Sequence, residues 1–432
     1  MWFRRDLRVR DNPALLAALE DGPVTALFVI DPAIWDGAGP ARRAWLAANV
    51  LALAERIPLS VHHGDPVDVV PRVADGRHVH VSAETTPYGR RRDEAVGTWV
   101  ELVATGSPYA VGPGLVRNGS GDPYQVFSPF SRAWREHGWA EPAPTPRSAD
   151  LAPAESQPDA LALLEKAVAG APFDLPPAGE DAAHRRWRAF RDHDLAAYRS
   201  ERNRPDHDGT SRLSPYLHLG VLHPRSLLAD IDTSSTYADE LAWREFYADV
   251  LWHHPASAWA DLKPALQGMR YDEPDDAVEA WRTGTTGYPI VDAGMRQLLH
   301  SGWMHNRVRM ITASFLTKDL HVWWPVGARH FLDLLIDGDV ASNNHGWQWV
   351  AGTGTDASPY FRVFNPVTQG KKFDPQGDYV RRWVPELDHL PGARAHEPWT
   401  SDVGYEQGYP LRIVDHADER REALERYQAA RG

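Results

Sequence analysis

The chain has 432 residues, 43% hydrophobic and 24% charged, a balance usual for a soluble globular protein with room for two or three domains. Its lack of cysteine excludes disulfides, thiolate catalysis and cysteine-ligated metals or clusters, and no metal site is expected. No apolar run approaches the roughly 20 residues of a membrane span, and the charged start Met1-Trp-Phe-Arg-Arg-Asp6 does not fit an export signal, so a cytoplasmic location is expected. In chain order, residues 24–30 form an apolar run of strand length, 58–64 a second, and 78–82 an alternating third. Between the first two, residues 41–57 are rich in Ala and Leu and predict a helix. Strand–helix–strand order predicts an α/β domain over residues 1–130, with a parallel sheet covered by helices. Residues 131–180 carry eight prolines between Pro142 and Pro177 and read as a linker over the surface. Strands then disappear, and amphipathic, tryptophan-rich segments predict an all-helical domain over residues 181–432.

Four segments carry candidate chemistry. Gly209-Thr-Ser-Arg-Leu-Ser214 places small hydroxyl residues beside Gly before an apolar stretch, which suits a bound anion such as a diphosphate, although such residues also serve as plain helix caps. On residues 239–247, helical spacing puts Ala242, Phe246 and Val250 on one stripe and Glu240, Trp243, Arg244 and Tyr247 on the other side. An aromatic between an acid and an arginine would stack a flipped base, accept from its edge and meet phosphate; a surface helix with a half-buried Trp is the plainer reading. The segment Trp303-Met-His-Asn-Arg-Val-Arg-Met310 predicts a second helix with Asn306 and Met310 one turn apart and Trp303 and Arg309 adjoining. Asp337-Gly-Asp-Val-Ala-Ser-Asn-Asn-His-Gly-Trp-Gln-Trp349 interleaves acids, amides and tryptophans, a mixture a pocket for a planar polar ligand needs and a plain core does not. The net charge of −13 counts against a nucleic-acid partner unless basic groups cluster. Residues 361–383 hold five basic side chains against two acids, and 303–318 hold Arg307, Arg309 and Lys318 with no acid; solvated helix faces would account for both.

With these motifs in this order, and with Pro359-Tyr-Phe-Arg-Val-Phe-Asn365 following, the chain resembles the photolyase/cryptochrome flavoproteins, specifically class I cyclobutane pyrimidine dimer photolyases, from Trp2 to about Trp399. The resemblance implies a Rossmann-like parallel sheet joined by a long linker to a helical FAD-binding domain. It implies light-dependent repair of UV-damaged DNA by a monomer, with a cryptochrome-type photoreceptor as the alternative. It assigns Tyr198, Thr210, Ser211, Arg212, Leu213, Ser214, Trp303, Arg309, Asp337, Gly338, Asp339 and Asn343 to FAD, with Arg309 pairing Asp337 and Asn343 facing flavin N5. An amide there can accept from a protonated nitrogen without carrying charge. To the dimer and DNA it assigns Glu240, Trp243, Arg244, Tyr247, Asn306, Arg307, Met310, Trp349 and Gln369, with Glu240 on the thymine carbonyl–imide edge. His305 reads instead as a packing or capping histidine.

Of the 18 tryptophans, eleven follow residue 240, and core packing accounts for most of them. The resemblance makes Trp347 and Trp324 the inner and middle members of an electron relay to the flavin. The outer member falls on Tyr271, so the relay ends there in a tyrosyl radical or passes by another aromatic. For a second chromophore, Arg42, Glu84, Tyr88 and Arg90 resemble the deazaflavin-binding members, incompletely, whereas folate-binding members carry Asn-Glu where this chain has Tyr88-Gly89. Relatives start their first strand a few apolar residues before the motif at Trp2, which points to a short first strand or, the favoured reading, a start farther upstream.

Overall fold

The computed structural model describes residues 1–147, 150–266, 268–355 and 361–431. They gather into two compact units, Met1–Leu195 with Ser211–Pro255 and Ile336–Ala341, and Ala196–Thr210 with Ala256–Leu335 and Ser342–Gly432.

The first unit holds the strands. β1 (Trp2–Phe3), β2 (Ala26–Ile30) and β3 (Leu59–His63) form a parallel sheet in that order, with Phe28 opposite both Phe3 and Val61. β4 (Val79–Val81) and β5 (Leu102–Ala104) form a separate parallel pair. All five residues of β2 are buried, which explains its unbroken apolar run: strands of covered parallel sheets are buried on both faces. The predicted strand over 24–30 shortens to 26–30 because Val24 bridges Leu151 instead. β1 is short, and its pairing begins at Met1, whose carbonyl accepts from Leu27 N at 2.8 Å. The predicted helix over 41–57 appears as Pro40–Ala54, its proline placed in the first turn where no N–H is missed.

Residues 131–180 are more structured than a linker. Most of helix Phe127–His137 and all of Pro158–Ala169 lie there, and the latter packs on Pro40–Ala54 with Ala160 and Leu164 buried. Pro158 starts that helix rather than breaking one, so proline content misleads here. Helix Thr236–His253, capped by Ser235 Oγ on Ala238 N at 3.2 Å, buries Ala242, Phe246 and Val250 as their spacing predicts.

The described part of the second unit is helical. Helices Pro289–Ser301, Asn306–Ser314 and Trp324–Leu334 surround a core that includes Trp281, Trp324, Phe331 and Trp347. Trp281 stacks on Phe331 with centroids 5.9 Å apart, and its indole N–H donates to Thr312 O at 3.0 Å, so this buried ring keeps its hydrogen bond. A π-helical turn, Phe315–Asp319, follows Asn306–Ser314. Among the described residues no helix is long and apolar enough to cross a membrane.

Candidate functional site

In the first unit, Asp337, Gly338 and Asp339 close the run Ile336–Asp339 that precedes helix Val340–Ala351. Asp337 and Asp339 are both buried. Arg5 Nη2 lies 2.6 Å from Asp339 Oδ2, His218 Nδ1 lies 3.9 Å from the same oxygen, and Arg42 Nη2 donates to Gly338 O at 3.3 Å. Burial by itself would raise the Asp339 carboxyl, but the Arg5 guanidinium and then His218 outweigh it and hold the group well below the usual carboxylate range. Asp339 is therefore a fixed anion.

The 209–214 segment is held from several sides. Arg186 Nε donates to Ser211 O at 2.8 Å, and Leu213 N to Ser211 Oγ at 3.4 Å. Arg212 sits at φ 51°, a left-handed conformation that costs a side-chain-bearing residue energy and persists only where its surroundings impose it. The helix that follows, Ser214–His218, is short, so the turn itself is the defined feature.

On helix Thr236–His253, Glu240, Trp243, Arg244 and Tyr247 are all partly exposed, as the spacing predicts. Trp243 stacks on Phe127 with centroids 3.7 Å apart and planes 7° from parallel, and it meets Tyr247 at 5.3 Å. Sequence reasoning missed Phe127, which lies where a domain boundary was expected. Arg244 faces inward: it donates to Pro108 O at 2.9 Å and Leu217 O at 3.1 Å and lies 4.3 Å from the Tyr109 centroid. This geometry fits a brace for two loops better than a phosphate arm. Glu245 was also missed. It is buried, and it accepts from the backbone of Ala110, Val111 and Gly112 at 2.6, 3.1 and 3.3 Å and from Trp134 Nε1 at 2.9 Å.

The four residues expected at a second chromophore have separate partners. Tyr88 Oη donates to Asp31 Oδ2 at 2.6 Å, the Arg90 guanidinium lies 3.9 Å over Trp252, and Arg42 reaches Gly338. Glu84 Oε1 accepts from Thr85 N and Thr86 N at 2.8 and 3.1 Å. Burial opposes the Glu84 charge, yet Arg5, Arg92 and Arg4 keep its carboxyl below the ordinary value. Gly89 lies so close that a Cβ there would come within 1.9 Å of Glu84 Cγ.

In the second unit the predicted helix from Trp303 begins three residues late. Gly302, at φ 60°, ends Pro289–Ser301, and His305 caps Asn306–Ser314 by accepting Arg307 N on Nδ1 at 3.2 Å. Trp303 thus lies outside the helix whose face it was expected to share, while buried His305 is the capping histidine expected. Asn306 is exposed and Met310 half-buried one turn on. Arg307 donates twice to Asn203 Oδ1, at 2.7 and 3.1 Å, and covers the Phe373 ring; Arg309 Nε donates to Met304 O at 2.8 Å. Lys318, counted on sequence with a basic stretch, is only 1% exposed and donates to Ala351 O at 2.6 Å, so it adds nothing to a surface charge. Burial pushes its ammonium well down.

Asn343 Nδ2 donates to Ala328 O at 3.1 Å and to Asn344 Oδ1 at 2.8 Å, which leaves Oδ1 as an acceptor. Trp347 is buried against Phe331 and Trp281, at 5.0 and 6.1 Å, and its indole N–H has no partner among the described residues. Gly327 makes room for it, since a Cβ there would stand 2.2 Å from the indole. Trp324 Nε1 donates to Asp261 Oδ1 at 2.7 Å. Tyr198 is buried, Tyr271, Trp349 and Gln369 are half-buried, Thr210 precedes Ser211, and Arg362 covers the Trp349 ring at 5.2 Å. Gly209 packs tightly on Glu201, where a Cβ would come within 2.7 Å. Pro359 and Tyr360 of the downstream motif lie outside the described residues.

Residues 1–148 match the family model described as DNA photolyase, and 237–429 match that of the FAD binding domain of DNA photolyase. A deoxyribodipyrimidine photo-lyase of Halobacterium salinarum is 39% identical, with 100% of this chain and 99% of that protein covered. Among solved structures, a class III photolyase from Agrobacterium tumefaciens superposes with a TM-score of 0.89 at 34% identity, covering 99% of this chain and 96% of that one. A cryptochrome from Synechocystis gives 0.88 at 27% identity over 98% of both chains.

Proposed function

The chain belongs to the DNA photolyase family, and from that premise we propose that it binds FAD and splits cyclobutane pyrimidine dimers in UV-damaged DNA with light. The residues present fit the cofactor. Arg212 is held in a strained turn, Asp339 is kept ionised, Asn343 keeps a carbonyl oxygen available as an acceptor, and Trp347 has a buried indole N–H without a described partner. When bound, the flavin supplies light absorption and the transferred electron.

Repair is carried over light sensing by one observation above all: Glu240 and Trp243 stand partly exposed on a helix whose other stripe is fully buried. Glu240 would hydrogen-bond the carbonyl–imide edge of the lesion and stabilise the charge that develops there. Trp243, with Phe127 and Tyr247 against it, would give a flipped base an apolar wall in place of stacking, as base-flipping enzymes, photolyases among them, require, and Trp349 is a second aromatic of the substrate set. Asn306 and Met310 belong to the same substrate set, with Tyr247 beside Trp243. Arg307 and Gln369 would face the DNA strand, whereas Arg244 braces loops. Phe127 extends the wall by holding the Trp243 ring flat.

For a second chromophore, a deazaflavin of the 8-hydroxy-5-deazaflavin type is the reading that Gly89 favours over folate. A glutamate in its place would collide with Glu84, which three arginines hold ionised. The protein would act as a monomer.

The test is dimer content in UV-damaged DNA incubated with chemically reduced protein in light and in darkness. Loss in light alone is the expected result. No loss under either condition, with FAD bound and reduced, would reject repair and promote the photoreceptor.

A further inference from the structure

Trp324 is completely buried, so any electron that passes through it needs a second group to reach solvent. Three aromatic side chains near Asp261 or in the adjoining chain compete for that role, and their surroundings differ in ways that decide between them.

Trp323 directly precedes Trp324, and the two rings meet edge to face with centroids 6.4 Å apart. Trp323 is 38% exposed, whereas Trp324 is 0% exposed, so the pair spans the step from core to water. Both indole N–H groups approach the same carboxylate oxygen, Asp261 Oδ1, at 2.7 Å from Trp324 and 3.5 Å from Trp323. A carboxylate at an indole N–H favours the positive charge that one-electron oxidation puts on the ring, and it accepts the proton if the radical releases it. Trp259 is almost as exposed, at 37%, but the Arg329 guanidinium lies 4.8 Å over its ring, and a cation there opposes a second positive charge. Tyr271 has a different defect. Oxidation of a phenol is easy only when its proton can leave, and Tyr271 Oη is buried with no hydrogen-bond partner among the described residues. Burial, and then the nearby Asp261 charge, push its phenol well up, so the proton is held.

We propose that Trp323, and not Tyr271, is the surface terminus through which electrons enter the buried tryptophans. The proposal rests on the reading that Trp347 and Trp324 serve a light-driven relay to FAD. In that relay Trp347 would give up one electron to the cofactor at each photochemical event, Trp324 would refill Trp347, and Trp323 would refill Trp324. An exogenous thiol then returns one electron to Trp323. Two such events join two thiols as a disulfide, release their two protons, and deliver two electrons inward.

The test uses FAD-loaded protein with the flavin oxidised, a thiol donor and blue light, comparing wild type with Trp323→Phe, Tyr271→Phe and Trp347→Phe, each first checked for FAD content and thermal unfolding. Trp323→Phe should slow photoreduction by about tenfold or more, while Tyr271→Phe should leave it unchanged. Transient absorption should show a long-lived tryptophanyl and no tyrosyl radical in wild type. Radical trapping followed by peptide mass spectrometry should place the adduct on Trp323. Slowing by Tyr271→Phe with none by Trp323→Phe, or a tyrosyl radical in wild type, would overturn the assignment, as would slowing by Trp347→Phe alone. If Trp347→Phe also has no effect, the relay itself fails and the terminus with it.

Discussion

A carboxylate's worth depends on what it faces, and two acids here make the contrast. Glu240 is partly exposed and lies outside the buried stripe of its helix, so its removal should cost chemistry more than structure. Glu240→Ala is expected to keep FAD and melting temperature while lowering repair yield per absorbed photon by about a hundredfold, the lower end of what a single positioned group contributes. Unchanged yield in a quantitative photolysis assay would remove Glu240 from the chemistry. Asp339 is the opposite case, a buried anion paired with Arg5. Its folded pKa lies below the unfolded value of about 4, so its stabilisation is fully present above that pH and is lost as the pH falls toward the folded value. Asp339→Asn should therefore destabilise the protein by about 3 kcal/mol at pH 7, because buried Arg5 loses its hydrogen-bonded ion-pair partner. The difference from wild type should shrink on acidification below about pH 4; denaturant midpoints of both proteins at the two pH values measure it. Asp339 was legible in the sequence as a residue of a polar, tryptophan-rich motif. Arg5 as its partner was not, because 334 positions separate them and nothing local marks the pair.

At the scale of elements, periodicity was a good guide wherever one face had to be buried. It placed Ala242, Phe246 and Val250 inside and left Glu240, Trp243 and Tyr247 partly exposed, but it did not foresee that Arg244, on the same side, turns inward to Pro108 and Leu217. It was a poor guide to where a helix starts, since Trp303 continues the pattern but His305 supplies the cap. Proline density was equally poor for residues 131–180, because a proline in a helix's first turn looks the same in sequence as one that forbids a helix. Nor does apolar periodicity reveal Glu245, a charge on the buried side of helix Thr236–His253 that serves as acceptor for a loop. Glu245 takes three backbone N–H groups and the Trp134 indole, and each would be stranded without it. Glu245→Ala should cost about 3 kcal/mol or more in a urea titration, with Glu245→Gln milder because one carbonyl oxygen remains. A loss within about 0.5 kcal/mol would mean that the 110–112 backbone finds water instead.

At the scale of the whole molecule, a net charge of −13 and a DNA substrate are compatible only if cations are gathered where the strand lies. The sequence stretch 361–383 supplies them unevenly. Lys371 is engaged with Glu397, and Arg381 is paired with Asp378 at 2.6 Å, so neither is the first choice for phosphate. Lys372 and Arg382 are exposed on the same stretch, with Gln369 nearby. A phosphate contact releases counterions, and each adds about −0.9 to the slope of log K against log salt on duplex DNA. Lys372→Glu and Arg382→Glu should each weaken binding to damaged and undamaged duplex alike and make the salt slope shallower by about 1, with repair per bound lesion unchanged. Titrations of a labelled duplex at several salt concentrations, with and without a dimer, separate this from a role at the lesion. Loss of affinity for damaged DNA alone would place these residues with base recognition, and an unaltered slope would put the phosphate-binding face on other cations. Either result would bear on how an acidic protein approaches a polyanion, since the remaining negative surface would then have to be turned away by fewer and more local contacts.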